Sequence, residues 1–97
     1  MCTKSMVCEY EARACARLVR AMSRYQEQAD TQVDPADKLV DLGIAAECGS
    51  QAIAVLLVIT TKASGLQLAK SICLLERIQK NVDWAVQERE SLRLALT

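Results

Sequence analysis

The chain contains no histidine and no phenylalanine, and only one proline and three glycines among its 97 residues. Without histidine, the commonest general base and metal ligand is missing. No C-x-x-C pair is present either, so the usual zinc patterns are excluded. With Trp84, Tyr10 and Tyr25 as the only aromatics, the core must be aliphatic. So little Gly and Pro allows very few turns. The chain also lacks an excess of charge of either sign: 12 basic residues balance 12 acidic ones. A protein devoted to gripping nucleic acid carries a clear basic excess, so this balance argues against that role. Near-zero net charge also offers little electrostatic resistance to self-association.

Hydrophobic residues make up 52% of the chain and charged residues 25%, a balance that folds rather than stays disordered. The length suits one domain over residues 1–97. Five cysteines (Cys2, Cys8, Cys15, Cys48 and Cys73) are many for this length, but their odd number and scattered spacing do not form a disulfide framework. The plain expectation is a cytoplasmic chain with reduced, mostly buried thiols, with Cys8, Cys15 and Cys73 on or beside core faces. Glu9 and Glu11 lie where a signal peptide needs an apolar core, so export by that route is not expected.

The strongest pattern is at residues 52–59, Ala-Ile-Ala-Val-Leu-Leu-Val-Ile, eight apolar side chains in succession. A helix over this stretch is apolar on every face, because eight residues exceed two turns. A surface helix shows an apolar stripe instead, so this one needs cover nearly all round. A strand here would find no partner, since no other segment alternates with period two. A membrane span is not expected, because Asp41, Glu47, Ser50 and Gln51 interrupt the window 39–60.

Three helices follow from the periodicity. Over residues 5–28, the series Cys8, Ala12, Cys15, Leu18, Met22, Tyr25 and Ala29 recurs at steps of three or four. Asp34-Pro35-Ala36-Asp37 is a helix start, with Asp34 as cap and Pro35 at the first helical position. The second helix is expected over 35–63. Its face Leu39, Leu42, Gly43, Ala46, Gly49, Ile53, Leu56 and Leu57 is small in its first half and bulky in its second. Gly49-Ser50 is a point where it could kink or break. Asp41 and Glu47 are expected to mark its exposed side. Gly65 is expected to stop it at a short Ser64-Gly65 turn. The third helix, over 66–95, has the stripe Leu68, Ile72, Leu75, Ile78, Val82, Ala85, Leu92 and Leu96, with Arg89 its one charged member. The expected fold is all-α: three long antiparallel helices in a bundle, dimeric through helix two at Ile53, Leu56, Leu57 and Ile59.

No constellation announces catalysis. Glu9 with Arg13, Glu76 with Lys80 and Glu90 with Arg93 are spacings typical of solvated helix pairs. No phosphate-binding glycine loop occurs. Cys15 has a basic residue two positions away on each side, Arg13 and Arg17. The sharpest polar feature is Arg13, Arg17, Arg20 and Arg24, aligned along one helix face at steps of four, three and four. Arginine forks suit carboxylates and phosphates, although a charge run of this kind also makes an ordinary solvated face. Trp84 lies off the main stripe, either as an interface anchor or as a cover on the bundle edge.

The sequence therefore points to a non-catalytic protein–protein interaction module of inhibitor, adaptor or secretion-chaperone type, with no enzyme activity, cofactor or metal. Its expected partners are a second copy of the chain and another protein met by Arg13, Arg17, Arg20, Arg24 and Trp84, with no membrane. The alternative is a small DNA-binding regulator that uses the arginine strip. A thiol-based redox protein is a third possibility.

Overall fold

A computed structural model describes residues 8–97. Three helices fill nearly all of this span: α1 (Glu9–Thr31), α2 (Pro35–Lys62) and α3 (Gly65–Leu96). They form an all-α bundle measuring 57 × 17 × 15 Å, with no strand among the described residues. The order is antiparallel. Lys62 at the end of α2 stands 3.8 Å from Glu11 near the start of α1, and Gln32 after α1 bonds Asp41 near the start of α2.

α2 is the shared element, packed along α1 on one flank and α3 on the other. It starts as the sequence predicts: Asp34 Oδ1 accepts from the Ala36 backbone N–H at 2.9 Å, with Pro35 in the first turn. The helix does not break at Gly49-Ser50 but runs unbroken to Lys62. Gly49 is there for packing. A Cβ at this position would stand 2.9 Å from Met22 Sδ of α1 and would collide with Val82 Cγ2 of α3. The absent side chain lets all three helices meet.

The turn after α2 also differs from expectation. α2 ends with Ala63 and Ser64 in extended conformations, and Gly65, at φ +60°, opens α3 rather than closing α2. A side chain at Gly65 would meet open space but a strained backbone, so glycine is required by conformation alone. α1 continues through Thr31, past the predicted end at residue 28, and the predicted beginning at residue 5 lies outside the described residues.

The main core joins Cys8, Cys15 and Met22 of the α1 side to Ala45, Ala52, Leu56 and Ile59 of α2 and Ile78 and Val82 of α3. Ala29, Leu42 and Ala85 form a smaller cluster. Three assignments are corrected. Asp41 is buried rather than exposed, with its carboxylate accepting from Gln32 Nε2 at 2.8 Å, so the burial is compensated. Ile72 is exposed because α3 turns Ser71 and Leu74 inward instead, and Leu96, in phase with buried Ile78, is exposed as the last residue of α3. Cys73, beside Ile72, is exposed for the same reason, whereas Cys8 and Cys15 are buried as expected. Cys2 lies outside the described residues.

Candidate functional site: the outer face of α1 and the edges of α2 and α3

The buried residues of α1, Cys15, Met22 and Ala29, follow one line down the helix, with Cys8 at its head. At 100° per residue, Arg13, Arg17, Arg20 and Arg24 centre roughly 180° from that line. All four are exposed. Arg13 is tied to Glu9 one turn back. Arg17, Arg20 and Arg24 form no ion pair among the described residues. The arginine strip is thus a continuous cationic ridge pointing straight away from the bundle.

Trp84 stands 41% exposed on α3, off the buried series Ser71, Ile78, Val82 and Ala85. It follows Asn81 by three residues, and the Asn81 carbonyl accepts from Gln26 Nε2 of α1 at 3.5 Å. Trp84 is thus one turn along α3 from the Asn81 contact with α1, with much of its side chain open to solvent.

The four residues expected at an oligomer interface separate sharply. Leu56 and Ile59 are 2% and 3% exposed and belong to the protomer's own core. Ile53 is half-buried and packs against that core. Only Leu57 is open, at 50%, and its neighbour Val58 is open as well. Ala54 lies on the same uncovered side, and Val40 is exposed nearer the start of α2. Sequence reasoning missed Val58, because an all-round apolar run gives no signal as to which of its sides the neighbouring helices will take, and Val40, which lies beside the predicted face at Leu39.

α2 is also the one helix, among the described residues, long and apolar enough to cross a membrane; a third of its most apolar window is buried inside the bundle.

Little here is arranged for bond-making. Burial pushes the Cys15 thiol above its ordinary range, which keeps it protonated and a poor nucleophile. The Arg93 guanidinium, bonded to both oxygens of Glu90 at 2.9 and 2.6 Å, holds that carboxyl below its usual range on an exposed helix surface. Glu76 and Lys80 do not come together as an ion pair. Among the described residues, no group of three His, Cys, Asp or Glu side chains is placed to hold a metal ion. Arg89 is exposed and lays its stem against Gly43 of α2, with Nε 3.5 Å from where a Cβ would stand. The apolar stem packs while the guanidinium reaches water.

Comparison with protein-family models, curated proteins and solved structures finds no match for this chain.

Proposed function

We propose that this chain is a non-catalytic protein–protein interaction module, acting as an inhibitor, adaptor or chaperone, that offers the outer face of α1 to an acidic partner protein. The observation that carries the reading is the exposure of Arg17, Arg20 and Arg24 in one row, with no ion pair among the described residues. Planar guanidinium forks in a row on a rigid helix suit carboxylates at matching spacing. Trp84 adds an exposed aromatic surface of the kind that anchors interfaces. The zero net charge of the chain favours a local acidic contact over a general nucleic-acid grip.

Self-association belongs to the same reading. Leu57 and Val58 leave an apolar strip on the uncovered side of α2, which a two-fold partner would cover. A cytoplasmic setting rests on the free thiols, and a place outside the membrane on the Asp41 carboxylate among the buried positions that α2 gives to α1 and α3.

The test is a binding titration with the protein that native chain, but not the Arg17→Glu/Arg20→Glu double variant, captures from the native host. The double variant should keep its helicity and lose the partner, because exposed charges contribute little to folding. Equal capture by both proteins would retire the arginine strip. Retention on duplex DNA that falls steeply with salt would favour the DNA-binding regulator instead.

A further inference from the structure

α1 and α3 both lie along α2, yet they part company at the end of the bundle where α1 begins. The gap is a groove of about 470 Å³. Cys15 and Ala16 form its α1 side, Leu56 and Ile59 its floor, and Lys70 and Leu74 part of its α3 side. The volume lies within the range of small-ligand sites. The α3 wall runs from Leu66 to Leu74, about 12 Å of helix, which is short for seating a partner helix of several turns.

The charge of this groove is one-sided. Lys70 is the only ionisable group with a charge at neutral pH along its walls, since burial keeps Cys15 protonated. No acid answers it. Lys70 has no ion pair among the described residues, its α3 neighbours three and four positions away are Leu66, Gln67, Cys73 and Leu74, and residues 1–7 contain no Asp or Glu. An exposed ammonium at the lip of an apolar trough is complementary to a molecule with one anionic end and a short apolar body.

We propose that this groove binds a free medium-chain aliphatic carboxylate, with its chain on Cys15, Leu56, Ile59 and Leu74 and its carboxylate at Lys70. Ala12 and Ala16 keep the α1 wall thin enough to admit the chain. This site is distinct from the arginine ridge: the ridge lies opposite the buried line of Cys15, and Ala12 and Ala16 stand on the flank of α1 between the two.

The experiment is a calorimetric titration of the full chain with monomeric decanoate, set beside decyltrimethylammonium as an apolar body of opposite charge. Decanoate should bind saturably at one site, and the cationic amphiphile should bind at least tenfold more weakly. Lys70→Glu should weaken decanoate at least tenfold, and Ala16→Phe should abolish binding by filling the trough. Both positions are exposed, so helicity should persist. Should Ala16→Phe fail to fold, Lys70→Glu and the two amphiphiles decide alone. Equal affinity for the two amphiphiles, unchanged affinity in Lys70→Glu, non-saturating uptake, or binding only to anionic phospholipid vesicles would each overturn the proposal.

Discussion

The middle of the bundle and its open end are built from the same three helices and pack in opposite ways. At the middle, Gly49 is so close to Met22 and Val82 that no side chain fits between them. Two turns further along α2, Leu56 and Ile59 are bulky, and a groove opens between α1 and α3 above them. Side-chain volume on the shared helix thus sets the separation of its two neighbours: small residues let helices close, and large ones hold them apart. The middle of α2 serves as a clasp and its last turns as a spacer.

Changes on α2 break this contrast most directly. Leu56→Glu places an unpaired carboxylate in the core at a 2% exposed position and should cost at least about 5 kcal/mol, the lower end of the whole stability of a domain of this size, and unfold it. Leu57→Glu, one residue on and half exposed, should leave the fold intact and yield monomers. Circular dichroism and sedimentation separate the two, and a folded Leu56→Glu would refute the core assignment. Gly49→Val should lose about 3 kcal/mol in a denaturant titration through overpacking. Gly49→Ala is the finer probe. Helix propensity alone predicts a gain of about 1 kcal/mol, whereas the collision with Val82 predicts a loss.

Outside α2 the expected effects shrink. Trp84→Ala should weaken partner binding by about 2 kcal/mol if the ring is an anchor. A drop in thermal stability with affinity unchanged would make it a cover on the bundle edge. The smallest effect concerns the thiols. Cys73 should be alkylated readily in the folded protein and Cys15 only on unfolding. Because burial raises the Cys15 value, its contribution to stability is complete below the ordinary thiol range and is lost as pH climbs through the raised value. Cys15→Ala should flatten that alkaline decline, at a cost on the order of 1 kcal/mol near neutrality. Rapid labelling of Cys15 in the native state would contradict its place in the core.

The helices and the loops between them were legible because their signals are local: the period of α1, the Asp34-Pro35 start, the Ser64-Gly65 break. The division of α2 into small and bulky halves was legible too, and so was the outward face of the arginines. The faces of α2 were not. Its buried residues Leu42, Ala45, Gly49, Ala52, Leu56 and Ile59 recur at steps of three and four and form one stripe, but the apolar side chains on its other sides mask that stripe in the sequence. Gly49 looked like a break because propensity is read one helix at a time, whereas its cause is a collision with side chains 27 and 33 positions away. Asp41 looked like a solvent marker because its partner, Gln32, belongs to the loop rather than to the same helix. The groove at Lys70 depends on the splay of two helices that are not neighbours in sequence, which no spacing rule encodes.

The arrangement around α2 also bears on how the chain reaches this state. Each hairpin closes through two or three residues, at 32–34 and 63–64, and both hairpins share the middle helix, α2. Nearly all packing is therefore between segments that adjoin along the chain, the condition under which search times are shortest and folding runs in microseconds to milliseconds. The outer helices are tenants of α2 more than of each other. The far end of α3, where Leu94 and Leu96 already face solvent, should then be the first region to exchange its amide protons, while the Met22–Gly49–Val82 junction exchanges only when the whole molecule opens.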